Sequence, residues 1–324
     1  MSEKYSEVLV TGGAGFIGSH VVDLLVERGY GVRVLDNLST GRLENIEGHL
    51  DGDQVSFVQG DVRDVGLVRK SVQGVDALIH LAAVTSVPFS VENPDFTFEV
   101  NVGGTLNLLS SCVKEKVGKF VFVSSCAVYG EPRFLPVSEE HPTKPISPYA
   151  ESKLAGEKYC MGFQERGLLR SVALRFFNVY GVRQVVNDYC GVIAKFIERG
   201  RRGLPLMVYG DGSQTRDFVN VRDVAAAVLG AMECGDAEGE ILNVGFGKPT
   251  SVNALAETVS ACLGRKLEVL YGEARLGDVK HSYADISKAE NLIGYKPGVT
   301  LKNGLRGLLA DADSLVFEPD SVPS

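Results

Sequence analysis

A glycine turn set between a short apolar run and a helix-like stretch constrains this chain more than any other feature. Val8-Leu9-Val10 reads as a strand, and Thr11 to Gly18 as a turn. His20 to Arg28 reads as a helix, with Val21, Val22, Leu24 and Leu25 at helical spacing and Gly29 closing it. A second apolar run, Val32 to Leu35, ends on Asp36. Gly12, Gly15 and Gly18 satisfy G-x-x-G-x-x-G, while Gly13, Gly15 and Gly18 satisfy G-x-G-x-x-G. Small residues tighten such a turn and let backbone approach a pyrophosphate. The phosphate charge then rests on N–H groups at the helix N-terminus, here opened by Phe16, Ile17 and Gly18. Asp36 is placed to accept hydrogen bonds from an adenosine ribose and would repel a 2′-phosphate, so NAD is expected rather than NADP.

At 324 residues and 44% hydrophobic content, the chain suits one large α/β domain or two coupled ones. Its formal net charge of -8 leaves no electrostatic footprint for nucleic acid. Arg199, Arg201 and Arg202 read as a solvated helix end. No apolar run reaches transmembrane length, so no membrane partner is expected. The six cysteines (Cys112, Cys126, Cys160, Cys190, Cys234, Cys262) contain no C-x-x-C pair, and the five histidines have no metal-ligand spacing. Free thiols, a cytoplasmic location and no metal follow as expectations.

Beyond Asp36, Asn37-Leu38-Ser39-Thr40-Gly41 is a polar loop placed to wrap the adenosine. Val55 to Gln59 is a strand leading to Asp61 and Val62, which fall where an adenine edge would sit, although Asp61 reads almost as well as a helix-capping acid. Val65 to Val72 is a helix candidate, and Ala77 to Leu81 a strand ending in Ala82-Ala83. Leu81, Ala82 and Ala83 again suit close approach to a cofactor. Phe96 to Val117 has the length of a long helix, and Lys119 to Val123 reads as a strand buried on both faces. Pro148 to Arg166 continues as a helix, and Ser171 to Leu174 as a strand. This alternation predicts an α/β fold, a doubly wound parallel (Rossmann-type) sheet with a smaller interleaved C-terminal substrate domain. The boundaries expected are 1–174 for the NAD-binding part, with return segments near 218–245, and 175–312 for the substrate part. Ile241 to Val244 should rejoin the main sheet. Ser251 should cap a helix from Val252 to Leu263, and Asp285 another ending at Gly294. The polar tail, 313–324, is expected to be disordered.

Two features follow the buried strand. One is the hydroxyl pair Ser124-Ser125, ahead of Cys126-Ala127-Val128-Tyr129-Gly130. The other is Tyr149-Ala150-Glu151-Ser152-Lys153, with Pro148 at the first helical position. Tyr149 and Lys153 share a helix face, and an ammonium near a phenol lowers the phenol's pKa toward working pH. That yields a general base matched to an alcohol proton, with a serine hydroxyl to bridge it.

From Val8 to about Leu309, the chain resembles the extended short-chain dehydrogenase/reductase family, sugar-nucleotide branch, and within it the UDP-hexose 4-epimerases. The resemblance rests, in order, on Thr11 to Gly18, Asp36-Asn37, Asp61-Val62, His80 to Ala83, Ser124-Ser125, Tyr149 to Lys153 and Arg175 to Gly181. It implies NAD as cofactor, a UDP-sugar as substrate, and a homodimer through Phe96–Val117 and Pro148–Arg166. Ser125 matches the catalytic hydroxyl, Tyr149 the base and Lys153 the residue tuning it. Asn178 matches a ligand of the sugar nucleotide's phosphates, and Arg216 with Arg275 the pair clamping the diphosphate. Asp278 matches a uridine-ribose ligand, and Tyr209 an aromatic residue lining the uracil pocket. Ser282, four residues beyond Asp278, matches a gate where a small residue admits a 2-acetamido group. The implied activity is 4-epimerisation through a transient 4-keto sugar, favouring UDP-N-acetylglucosamine/UDP-N-acetylgalactosamine with UDP-glucose/UDP-galactose also accepted. Dehydratases of the branch carry Asp-Glu where this chain has Cys126 and Ala127. Uronate-specific relatives carry Arg-Pro-Asp-Met, which is missing after Gln184. A UDP-glucose-only or UDP-uronate epimerase is the alternative. An NAD-sensing protein without chemistry is a different class, against which the Ser125, Tyr149, Lys153 set argues.

Overall fold

The computed structural model describes residues 5–186, 191–274, 279–310 and 315–317. Seven parallel strands form the main sheet: β1 (Glu7–Thr11), β2 (Gly31–Asp36), β3 (Val55–Gln59), β4 (Ala77–His80), β5 (Lys119–Ser125), β6 (Ser171–Phe176) and Ile241–Val244. The spatial order is β3-β2-β1-β4-β5-β6, then Ile241–Val244. The direction of winding reverses between β1 and β4, so a crevice opens beyond their carboxyl ends, where such sheets bind ligands. β4 and β6 are buried along their whole length and β5 along all but its last residue, as continuous apolar strands covered on both faces should be.

The covering helices are α1 (Phe16–Glu27), α2 (Val65–Val72), α3 (Val87–Glu92), α4 (Pro94–Phe98), α5 (Gly104–Glu115) and α6 (Pro148–Glu165). The single helix expected over 96–117 is α4 and α5 joined by one π turn, Glu99–Gly103, and ended by Lys116 at φ 59°. Thr105 Oγ1 donates to the Asn101 carbonyl at 2.6 Å. That back-bond competes with the regular ladder at the widened turn. Ser147 caps α6, accepting from the Ala150 N–H at 3.2 Å, and Pro148 holds its first position.

The second half contributes β7 (Asn178–Tyr180), β8 (Gln184–Val186), α7 (Val192–Arg201), β9 (Leu206–Tyr209), β10 (Thr215–Arg216), β11 (Phe218–Asn220) and α8 (Val221–Glu233). Ile241–Val244 is β12, which pairs with β6 as expected. Then come β13 (Thr250–Ser251), α9 (Val252–Cys262), β14 (Val269–Gly272), α10 (Ser287–Ile293), α11 (Leu301–Ala310) and β15 (Leu315–Phe317). Val228 and Met232 of α8 share the main core with Val21 and Leu25 of α1. A separate core gathers Ile193, Phe196, Leu206, Leu255, Val259 and Leu305. Ser251 caps α9 through the Ala254 N–H at 3.1 Å. Asp285 accepts from the Ser287 N–H at 3.0 Å, although Ile286 holds the N-cap position, and Gly294 at φ 64° ends α10.

Two expectations are corrected. The tail is not structureless throughout: Leu315–Phe317 forms β15, parallel to β8, because three consecutive apolar residues interrupt its polar composition. The other tail positions lie outside the described residues. Arg199 and Arg201 are not simply solvated, since they donate to the carbonyls of Pro205 (2.5 Å) and Leu308 (2.7 Å) and so tie down the chain beyond α7. No described helix is long and apolar enough to cross a membrane.

Candidate active site

The glycine turn lines the crevice at the winding reversal. Gly12 adopts φ +72°, and a Cβ there would lie 2.7 Å from the Ala82 nitrogen. A Cβ on Gly18 would run into the Gly12 carbonyl oxygen. Only bare backbone lets β1, the turn and the end of β4 approach so closely. Gly15 precedes α1 in extended conformation with no side-chain cap, which keeps the first-turn amides of Phe16, Ile17 and Gly18 for an anion. Leu81 N–H donates to the Thr11 carbonyl (3.1 Å) and Ala82 N–H to Thr11 Oγ1 (3.3 Å), so 81–83 forms the opposite lip.

Asp36, buried at the end of β2, accepts from the amides of Ala14 (3.0 Å) and Leu38 (2.8 Å). Burial pushes its carboxyl up against those bonds. Gly41 packs onto it, where a Cβ would sit 2.9 Å from Oδ2. Asn37 Nδ2 donates to Asp61 Oδ2 (3.1 Å), and hydrogen bonds from Arg63 help hold the Asp61 carboxyl down to about 2. Asp61 caps no helix: Asp64 caps α2, so the capping alternative falls. Ser39 and Thr40 are exposed on the rim, and Val62 is buried against Gly104. These residues lie beside the glycine turn, and the donor set fits a dinucleotide.

Ser124 and Ser125 end β5. Ser125 Oγ accepts from the Ala127 N–H (3.2 Å), and its hydroxyl lies near enough to the Tyr149 hydroxyl to act on its pKa. Tyr149 is fixed through its backbone as well: its N–H donates to Ser90 Oγ (3.1 Å) and its carbonyl accepts from Ser152 Oγ (2.7 Å). Lys153 shares the helix face with Tyr149, as the spacing requires, but its ammonium donates to the Val123 carbonyl at 2.9 Å. The expected lowering of the phenol is therefore corrected. Burial lifts Tyr149 to about 12, opposed by the neighbouring Ser125 hydroxyl, while burial brings Lys153 down to about 8. One turn further along α6, Glu157 is buried in a bidentate pair with Arg175 (2.9 and 2.7 Å) and takes a 2.5 Å bond from Ser124.

On the facing side, Asn178 is exposed at the start of β7 and Arg216 ends β10, close enough to Cys126 for its charge to be felt there. The Ser282 N–H donates to the Thr215 carbonyl (3.1 Å), which sets this buried serine beside the Arg216 strand. Tyr209 is 39% exposed and packs over Gly272. Arg275 and Asp278 lie outside the described residues.

Sequence reading missed a buried polar chain. Thr11 Oγ1 bonds His80 Nδ1 (2.7 Å), His80 Nε2 bonds Thr105 Oγ1 (3.0 Å), and Asn101 Nδ2 donates to Ser152 Oγ (2.9 Å). Burial, with a contribution from Lys153, brings His80 down to about 3, so its ring stays neutral. It also missed Asn45, whose Nδ2 clamps the Ala14 carbonyl at 2.8 Å. The available signal was an ionisable residue, His80, closing an apolar strand. Among the described residues no group of side chains is arranged to hold a metal. Cys112, Cys126, Cys160, Cys234 and Cys262 are free thiols, while Cys190 lies outside the described residues.

A parallel sheet with a glycine cradle at its winding reversal, an acid closing β2 and a Ser–Tyr–Lys set over the cleft define a dinucleotide-dependent α/β enzyme. The sequence model of the NAD dependent epimerase/dehydratase family matches residues 8–245, and the chain belongs to that family. It is 40% identical over 300 residues to the UDP-glucose 4-epimerase of Mycolicibacterium smegmatis, covering 92% of this chain and 95% of that protein. Its fold matches UDP-N-acetylglucosamine 4-epimerase from Methanobrevibacter ruminantium in complex with UDP-N-acetylmuramic acid (TM-score 0.90, 38% identity, 95% of this chain and 98% of that one). It also matches the UDP-glucose 4-epimerase of Thermus thermophilus in complex with NAD (TM-score 0.86, 40% identity, 94% of this chain and 98% of that one).

Proposed function

We propose that the protein interconverts the carbon-4 epimers of UDP-hexoses, preferring UDP-N-acetylglucosamine/UDP-N-acetylgalactosamine and accepting UDP-glucose/UDP-galactose. The carrying observation is the placement of Ser125 at the end of β5 and Tyr149 in the first turn of α6, their hydroxyls near each other, beside Cys126 and Ala127. The pair can move a proton, whereas neither neighbour supplies the acid that dehydration needs.

Tyr149 Oη takes the proton of the sugar 4-hydroxyl, with Ser125 Oγ bridging. When bound, NAD would supply the hydride acceptor and a positive charge. A phenol lifted to about 12 by burial needs positive charge around it to accept that role. Lys153 stands one turn away on the same helix face, held on the Val123 carbonyl. Arg216, with Arg275 and Asp278 as the resemblance assigns them, anchors the diphosphate while the 4-keto sugar turns over. Tyr149 then returns the proton to the oxygen as hydrogen is delivered to the opposite face of carbon 4. There is no net redox change.

The acetamido preference is supported by the small, buried Ser282. A homodimer through α4–α5 and α6 is supported by the exposed Phe96 and Tyr159, and a monomer mass by light scattering would overturn it. The activity is tested by incubating purified protein separately with UDP-glucose and UDP-N-acetylglucosamine, without added cofactor, and resolving the epimers. Both should equilibrate, the acetamido sugar faster. No epimer from either would overturn the activity, and turnover of UDP-glucose alone would overturn the preference.

A further inference from the structure

Asp217 follows Arg216 at the bend between β10 and β11, and its side chain is fully buried. Its Oδ1 accepts from the Phe246 N–H (2.7 Å), and its Oδ2 from the amides of Gly247 (2.9 Å) and Ala284 (3.0 Å). Its carbonyl accepts from the Asn178 N–H at 3.0 Å. Four segments therefore meet on one residue: the start of β7, the β10–β11 bend, the loop leaving β12, and the stretch just past Ser282. Gly245 makes room for the carboxylate, since a Cβ there would lie 2.5 Å from Oδ2 and 2.9 Å from the Ala284 Cβ. Tyr295 Oη donates to the Gly245 carbonyl at 2.8 Å and holds that backbone in place.

We propose that Asp217 is a positioning residue for the sugar nucleotide, its carboxylate fixing Arg216 relative to the pocket wall at Ser282. The inference rests on the roles given to Arg216 and Ser282 above. Every side-chain partner among the described residues is an N–H donor, and the donors reach both carboxylate oxygens. A group that only accepts meets this demand, whereas an amide would turn its own NH2 toward at least one donor. Burial lifts the Asp217 carboxyl to about 6 in spite of the three amides. A carboxylate held in so unfavourable a place serves geometry better than stability.

The test uses the full chain with its retained cofactor. Asp217→Asn should weaken binding of UDP, read by calorimetry, and raise KM for UDP-glucose, each by about 10-fold or more. Its kcat should fall less, and NAD retained per chain should equal that of the wild type. Gly245→Ala, which crowds the carboxylate without removing it, should shift UDP binding and KM in the same direction by less. Unchanged UDP binding and KM in folded Asp217→Asn would overturn the proposal. So would a loss of retained NAD in proportion to the loss of UDP binding, which marks a general structural role. Should Asp217→Asn fail to fold, Gly245→Ala decides alone: a raised KM with unchanged NAD supports the proposal, and an unchanged KM refutes it. A wild type that binds UDP but epimerises no UDP-hexose would remove the proposed function, while the UDP titrations would still decide Asp217.

Discussion

In the proposed site, the cofactor wall of the cleft offers its ligand backbone, whereas the sugar-nucleotide wall offers side chains. On the first wall, Gly12, Gly15 and Gly18 bring peptide groups close, Asp36 is held by two neighbouring amides, and 81–83 contributes mostly main chain. On the second, the proposed contacts Asn178, Tyr209, Arg216 and Ser282 come from four strands or loops, and Asp217 ties the β10–β11 bend to the stretch just past Ser282. A backbone wall tolerates no added atom but asks little of side-chain identity. A side-chain wall can change its substrate through one residue and depends on a supporting shell to keep its members in register.

Tyr149→Phe, at the seam between the walls, gives the largest expected effect. Turnover should fall by about 10²–10⁴-fold while retained NAD and UDP binding persist. Full activity would remove Tyr149 as the proton carrier, and lost binding would mean that the seam also builds a wall.

Gly18→Ala should break the backbone wall alone. Its Cβ meets the Gly12 carbonyl and lies 2.8 Å from the Gly13 Cα. Overpacking of this kind costs about 1–3 kcal/mol. Retained NAD should drop sharply while UDP binding is kept, and the reverse pattern would contradict the division of labour.

How much of each wall is legible in the sequence follows from the same contrast. The strand, the glycine turn, α1 and Asp36 lie within one contiguous stretch, so their spacing alone predicts their geometry. Tyr149 and Lys153 share a helix face for the same local reason. The spacing nevertheless gives the wrong direction for the phenol's shift, because burial and the Val123 carbonyl lie outside the motif. Asp217 gathers amides 29, 30 and 67 residues away, and His80 reaches Thr105 across 25, so no local pattern carries them. The substrate wall is legible only through the resemblance.

His80 offers a pH test of the cofactor wall. Its folded pKa, about 3, lies below the ordinary 6.5 because of burial. As pH falls between those values the unfolded chain takes up a proton that the folded one refuses, so stability is lost. The urea midpoint of wild type should therefore fall more steeply than that of His80→Asn between about pH 7 and pH 5. Equal slopes would show that the ring titrates normally.

Ser282→Tyr sharpens the side-chain wall with a smaller and selective effect. Turnover of UDP-N-acetylglucosamine should drop by about 10-fold or more relative to UDP-glucose. Equal loss of both would count against Ser282 as the gate.

The most direct measurement of the central claim, that hydrogen leaves carbon 4 and comes back to it within one closed site, uses UDP-glucose deuterated at sugar carbon 4. After equilibration in ordinary water, the UDP-galactose formed should keep its deuterium at carbon 4. Deuterium lost to solvent from that position would contradict the account.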